Sequence, residues 1–232
     1  MIQEAPSGFL LIDKPTDWTS HDVVGYLRGV TGIRKIGHAG TLDPFATGLL
    51  IVAVSRAATK RIDEFQGMTK IYETTLQFGS SSDTQDLTGV LSEVAPLDDI
   101  TLDESVVLKT LLAFTGTIQQ IPPMYSAKKV GGKKLYELAR EGKEIERQPV
   151  EINIDTLELL GIDTEKKMLS LRVVCSKGTY IRTLCHDIGA ALGFGGYCAT
   201  LRRTHIGEFS VEQAVEPKSL EKTSWQKRLL AL

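Results

Sequence analysis

The chain has 232 residues, 42% of them hydrophobic and 24% charged, with a net charge of −2. A folded chain of this length buries roughly 70–75% of its unfolded surface, so it needs no disulfide or metal staple, and its near-neutral charge excludes a globally basic nucleic-acid binder. No apolar run approaches the roughly 20 residues of a membrane span, and the opening Met1-Ile-Gln-Glu-Ala-Pro6 lacks the basic and apolar regions of a secretory signal.

Three cysteines, Cys175, Cys185 and Cys198, form no Cys-x-x-Cys pair. An odd, unclustered count suits a reducing compartment, so a cytoplasmic location is expected. His21, His38, His186 and His205 have no metal-ligand spacing, and no metal is expected. Charge is unevenly spread. Asp83 to Glu104 holds seven acids and no Lys or Arg. Lys128 to Arg147 carries a net +3 and Arg172 to Arg203 a net +4. Two separated basic segments can frame a groove for phosphates, although charge runs are most often solvated faces.

In chain order, Phe9 to Asp13 reads as a buried strand stopped by Lys14-Pro15. Thr19-x-x-Asp22 has the form of a capping box, with Val23, Leu27 and Val30 on one face of the helix that follows. Gly48 to Val54 is an apolar run of strand length, and Ser55 to Phe65 reads as a helix with Ile62 and Phe65 inward. Lys70 to Gly79 alternates, placing Tyr72, Leu76 and Phe78 on one face. The same pattern suits a half-buried core tyrosine whose hydroxyl finds a partner. Gly79 to Gly89 is a polar turn segment, and Asp103 to Thr115 a short amphipathic helix.

Gln119 to Gln148 differs from its surroundings: a rigid Pro122-Pro-Met-Tyr-Ser126, then basic residues around Gly131-Gly132 and a short helix at Leu135 to Arg140. It reads as an inserted loop that docks something anionic. Val150 to Leu160 and Leu169 to Cys175 read as paired strands. Ile181, Leu184, Ile188 and Leu192 share a helical face, with Thr179 as N-cap and Arg182 in the first turn. An arginine there opposes the helix dipole, which calls for a carboxylate or phosphate partner. Gly196 to Arg203 is a further strand, and Pro217 to Leu232 a short basic tail.

The stretch from Gly37 to Leu50, Gly-His-Ala-Gly-Thr-Leu-Asp-Pro-Phe-Ala-Thr-Gly-Leu-Leu, presents Asp43 and His38 on a segment stiffened by Pro44 and turned by glycines. A carboxylate on a stiff loop feeding a buried strand is a good mount for a reactive group, and a turn-capping aspartate gives the same local pattern.

Four blocks in order decide between these readings. They are Gly37-His-Ala-Gly-Thr-Leu-Asp-Pro-x-Ala-Thr-Gly48, Lys70-Ile-Tyr72, Pro122-Pro-Met-Tyr-Ser-Ala127, and Cys175-Ser-Lys-Gly-Thr-Tyr-Ile-Arg-Thr-Leu184 followed by Leu201-Arg-Arg203. From about Gly8 to about Val215 the chain closely resembles the bacterial TruB family of tRNA pseudouridine synthases. The resemblance implies an α+β fold: a mixed, mostly antiparallel sheet flanked by helices, with a catalytic domain over 1–216 and an inserted thumb-like loop at about 119–148. It implies conversion of uridine 55 in the T-loop of tRNA to pseudouridine, with no cofactor, no metal, no guide RNA and no membrane, by a chain expected to act as a monomer. Position by position, it makes Asp43 the catalytic aspartate, with Tyr72 stacking on the target base and Arg182 pairing with Asp43. His38, Tyr180 and Leu201 contact or enclose the flipped nucleotide, and Lys14-Pro15 braces the site.

The chain departs from the family in one respect. Family members usually continue into a small RNA-binding PUA domain, whereas residues 217–232 amount to a tail with Lys218, Lys222, Lys227 and Arg228 against Glu221, which is expected to substitute for it only in part. A tRNA-folding chaperone with modification secondary is the alternative function.

Overall fold

The computed structural model describes residues 6–126 and 128–230; Met1 to Ala5, Ala127, and Ala231 and Leu232 of the tail lie outside the described residues. The elements are, in order, β1 (Gly8–Lys14), α1 (Ser20–Thr31), β2 (Ile36–His38), β3 (Thr47–Val54), α2 (Ser55–Thr59), α3 (Ile62–Gln66), β4 (Lys70–Phe78), β5 (Ser80–Ser82), β6 (Leu91–Glu93), α4 (Glu104–Ala113), β7 (Gly116–Gln120), β8 (Lys129–Val130), β9 (Lys133–Lys134), α5 (Leu135–Arg140), β10 (Val150–Asp163), β11 (Met168–Cys175), α6 (Ile181–Ala191), β12 (Gly196–Ile206) and β13 (Phe209–Ser210). The described chain forms two compact units, one up to Tyr72 and from Arg202 on, the other Glu73–Leu201.

The first unit is built on β3. Its apolar run has no polar alternation because both faces are buried. Leu50, Val52 and Val54 pack with Leu10, Ile12, Val23 and Leu27 on one face. Leu49, Ile51 and Ala53 pack with Phe9, Leu11 and Phe65 on the other. β1 pairs antiparallel along one edge of β3, from Gly8↔Val54 to Lys14↔Gly48. Two strands share the other edge, each pairing over a short stretch. β2 pairs at the C-terminal half (Ile36↔Val54, His38↔Val52), and β12 runs parallel at the start (Arg202↔Thr47, Arg203↔Gly48). Gly48 has φ +104°, and a Cβ there would lie 2.3 Å from the Arg203 carbonyl oxygen, so no larger residue admits β12.

The capping box on α1 forms as read, with both Thr19 and Asp22 bonding to each other's backbone. The helix read over Ser55 to Phe65 is two helices, α2 and α3, broken at Lys60-Arg61. Lys70 stabilises the end of α3 by donating from Nζ to the carbonyls of Phe65, Gln66 and Met68.

The segment after Val215 is more than a charged appendage. Leu220 and Trp225 are buried in the core with Leu10, Ile12 and Val24. The amide of Leu230 donates to the Phe9 carbonyl at 2.8 Å, and that of Asp13 to the Val215 carbonyl at 3.0 Å. These bonds occupy the edge of β1 that faces away from β3.

The second unit holds a sheet in the order β12, β4, β11, β10, β7. β10 pairs antiparallel with both β11 (Ile154↔Cys175 to Asp163↔Met168) and β7 (Val150↔Gln120 to Ile154↔Gly116). Leu169, Leu171, Val173 and Cys175 alternate inward as read, and α6 buries Ile181, Leu184, Cys185 and Ile188. α6 comes close to the start of β12 because residue 189 is glycine: a Cβ there would lie 2.5 Å from the Gly196 nitrogen. The fold is α+β with a mostly antiparallel sheet, in agreement with the sequence. Among the described residues no helix is long and apolar enough to cross a membrane.

Truncation of a buried tryptophan costs about 3–5 kcal/mol. Trp225→Ala should lower the unfolding free energy by about that amount in a urea titration, while the exposed Lys227→Ala should change it by less than about 0.5 kcal/mol.

Candidate active site

The loop from Ala39 to Ala46 joins β2 to β3 and carries Asp43, which is half-buried and engaged by neighbouring groups. Both residues flanking Asp43 are fixed. Leu42 is buried, its amide donates to Ser20 Oγ at 2.9 Å, and Ser20 Oγ donates to the Leu42 carbonyl at 3.3 Å. A single hydroxyl thus satisfies both polar groups of Leu42. On the other side, the Pro44 carbonyl accepts from Asp17 N at 2.9 Å and from Lys14 Nζ at 3.1 Å. Ala46 N donates to the Asp43 carbonyl at 3.1 Å and closes the turn.

Lys14 has no exposed surface. Its ammonium uses its three donors on the carbonyls of Pro15 (2.8 Å), Trp18 (2.7 Å) and Pro44. Burial pulls its pKa from 10.5 to about 8, and the Asp43 carboxylate is the strongest influence opposing that fall. The lysine therefore stays mainly charged at neutral pH.

Arg203, 1% exposed, braces the same loop from β12. Its Nε donates to the Leu49 carbonyl at 2.8 Å and Nη2 to the Gly40 carbonyl at 3.1 Å, so one guanidinium spans the loop from before Asp43 to after it. The adjacent Arg202 forms a two-pronged pair with Asp13 at 3.1 and 2.7 Å. His38, at the end of β2, packs edge-on to the exposed His21 ring with centroids 5.8 Å apart. Burial first, then the nearby His21 and Arg203, lowers the His38 pKa to about 4, so its ring is neutral at physiological pH. Tyr72 is half-buried on β4, on the face it shares with Lys70, Thr74, Leu76 and Phe78, as the alternation indicated.

In the second unit, Arg182 is 3% exposed in the first turn of α6. Its guanidinium donates to the carbonyls of Thr84 (2.6 Å) and Tyr125 (2.8 Å), and Nη1 lies 3.5 Å from the Asp86 carboxylate. The carboxylate partner required by the helix dipole is thus present. Asp86 also accepts from Thr84 Oγ1, Thr88 N and Thr88 Oγ1, at 2.8, 2.9 and 2.6 Å. Leu201 is buried on β12 and Tyr180 is half-buried at the start of α6.

The helix begins one residue later than read. Tyr180 is its N-cap, and Thr179 Oγ1 makes no hydrogen bond among the described residues, so Thr179 is not the cap. No side chain caps the first turn of α6, but the side-chain amide of Gln120 bonds to both backbone groups of Tyr180, within the same unit.

The structure thus places His38, Asp43 and Tyr72 in the first unit, and Tyr180, Arg182 and Leu201 in the second. Reading the sequence alone overlooks Ser20, Asp86, Gln120 and Arg203. Strand parity is a usable signal for Arg203, which lies two residues from the inward Leu201, and for Lys14, which shares the inward face of Leu10 and Ile12. Asp86 gives no signal, since its segment reads as a solvated acidic run. Among the described residues no group of three His, Cys, Asp or Glu could hold a metal ion.

Ser20→Ala orphans the buried Leu42 amide and should cost about 1–3 kcal/mol in chemical denaturation. An imidazole NMR titration should place His38 near pH 4. Since the folded state disfavours its charged form, the stability this contributes is complete above 6.5 and is lost as pH falls from 6.5 through about 4. Titration of His38 at 6.5 or above would contradict its burial.

Residues 28–181 match the family model described as TruB family pseudouridylate synthase (N terminal domain), and residues 182–231 match the tRNA pseudouridylate synthase B C-terminal domain. The tRNA pseudouridine synthase B of Parabacteroides distasonis is 47% identical over 91% of this chain and 91% of its own length. That of Syntrophomonas wolfei is 50% identical over 90% of this chain and 69% of its own length. Among solved structures, a chain of a Cbf5–Nop10–Gar1 complex superposes with a TM-score of 0.72 at 27% identity, over 96% of this chain and 56% of that one. With the Asp43 loop inside the first matched model and β12 inside the second, this chain belongs to the TruB family of pseudouridylate synthases.

Proposed function

We propose that this protein converts uridine 55 in the T-loop of tRNA to pseudouridine, with Asp43 as the catalytic carboxylate. The observation that carries the reading is the mounting of Asp43, held between two anchored residues, Leu42 and Pro44, in a chain of this family. The relatives at 47% and 50% identity are named as tRNA pseudouridine synthases.

The reaction breaks N1–C1′, turns the uracil and forms C5–C1′. It is an isomerisation, so atoms and electrons balance without a cofactor. The barrier lies in detaching a poor leaving group from the sugar, and an ionised carboxylate lowers it by attack or by stabilising charge at C1′. Three routes suit such a carboxylate: attack on the base, attack on the sugar, or initiation of 2′-deprotonation. Arg182 has the role of ionic partner to Asp43, because a nearby guanidinium favours the charged carboxylate.

The target uridine sits in a folded loop and must flip out, at a cost of a few kcal/mol. Stacking on Tyr72 offsets about 1–3 kcal/mol of this. His38, neutral at physiological pH, fills the vacated space, while Tyr180 and Leu201 enclose the flipped nucleotide. The basic loop from Lys128 to Arg147 engages phosphates without reading sequence. The enzyme acts on bare tRNA, without a guide RNA, as a monomer in the cytoplasm.

Mapping pseudouridine on an unmodified tRNA transcript tests the assignment. The native chain should modify one T-loop uridine, and Asp43→Asn should lower that rate by at least about 100-fold. Undiminished modification by the mutant, or modification elsewhere, would refute it. Tyr72→Leu should reduce turnover more than tRNA affinity, and equal losses would contradict its stacking role.

A further inference from the structure

Gln120 ends β7 where the chain leaves the sheet for the basic loop, and it is 1% exposed. Its Nε2 donates to the Tyr180 carbonyl at 3.0 Å, and the Tyr180 amide donates to its Oε1 at 2.9 Å. A primary amide carries a donor and an acceptor on one rigid plane, so it matches both backbone groups of a single residue. The Tyr180 carbonyl also accepts the first helical bond of α6, from Leu184 N at 3.0 Å. Gln120 therefore sets the point from which α6 starts, two residues before Arg182.

A second tie lies five residues further on, where the Tyr125 carbonyl accepts from Arg182 Nη2. Between the ties, Pro122 and Pro123 are both buried and fix their own φ. The returning end of the basic loop reaches the same segment, with Arg147 Nη1 donating to the Pro122 carbonyl at 3.3 Å. Residues 120–125 thus form a stiff bar that roots the basic loop and touches the start of α6 at both its ends.

We propose that Gln120 is a positioning residue for the pseudouridylation reaction. Through the Tyr180 backbone it fixes where the Tyr180 ring and the Arg182 guanidinium stand, so that the RNA-binding loop and the arginine share one anchor. The role rests on the function proposed above.

Two variants and two measurements test it. Gln120→Leu keeps the volume and removes both bonds. It should lower the single-turnover rate on tRNA transcript by about 10- to 100-fold, the effect of a misplaced group, while tRNA affinity changes less than about twofold. Gln120→Glu supplies the amide's donor and acceptor pattern only when protonated. Its rate relative to the native chain should therefore rise as pH falls from 8 to 5.5, whereas the Gln120→Leu ratio stays flat. A merely structural residue would produce no such pH-dependent rescue. Independently of any RNA, amide hydrogen exchange at Tyr180 and Leu184 should quicken at least about tenfold in Gln120→Leu. Native exchange at those amides, a native rate in folded Gln120→Leu, or a Gln120→Glu ratio independent of pH would each overturn the assignment. A native chain that leaves tRNA unmodified would instead overturn the proposed function, and the exchange measurement would still decide the role of Gln120 at Tyr180.

Discussion

The ammonium of Lys14 is a full charge removed from water, and the placement of Asp43 depends on what that charge holds. Desolvating an ammonium is costly unless every donor is used. Here all three donors meet backbone carbonyls, one of which belongs to Pro44, the residue after Asp43. The carbonyls of Pro15 and Trp18 bring the turn between β1 and α1 into the same arrangement. Moving the Asp43 loop would leave a buried donor without its acceptor, so the loop has one favoured position. The Ser20 hydroxyl does the same for Leu42, and the Arg203 guanidinium for Gly40 and Leu49. The loop, stiffened locally by Pro44, is fixed in place by buried donors from three elements of one unit.

The same economy appears around Arg182. A guanidinium has donors in a fixed planar fork. In this chain two of its directions meet carbonyls and one faces a carboxylate that is itself held by Thr84 and Thr88. A buried charge placed against the dipole of its own helix is tolerated because its surroundings are polar and fixed. Burial and orientation draw on the same contacts here, since the groups that lower the cost of burial also set where the guanidinium stands.

Charge in this chain separates into two kinds. Most of the acidic run from Asp83 to Glu104 lies at the surface, yet Asp86 within it is 4% exposed and partners an arginine. Most of the basic loop from Lys128 to Arg147 is exposed, and Tyr136 lies beneath the cations of Lys134 and Arg140 at 5.2 and 5.4 Å. The same residue types are solvated in one place and structural in the other, and segment charge alone does not separate them.

The sequence by itself determined the family and the longer elements, though not the break between α2 and α3 or the short strands. Alternation in β4 and β11, the capping box of α1 and the unbroken apolar run of β3 are local patterns, and local patterns survive in one dimension. The four motif blocks likewise carry the family resemblance, because they consist of residue identities in order. Tertiary structure decided which polar side chains are interior and what they hold. Lys14 and Arg203 lie at inward parity, but nothing local shows that carbonyls await them 30 and 154 residues away. The pairing of Gln120 with Tyr180 spans 60 residues and leaves no pattern in either segment. The tail reads as basic, while its tryptophan completes the core beneath β1. Hydrogen bonds between distant groups depend on where the backbone brings them, and that placement follows from packing the whole chain.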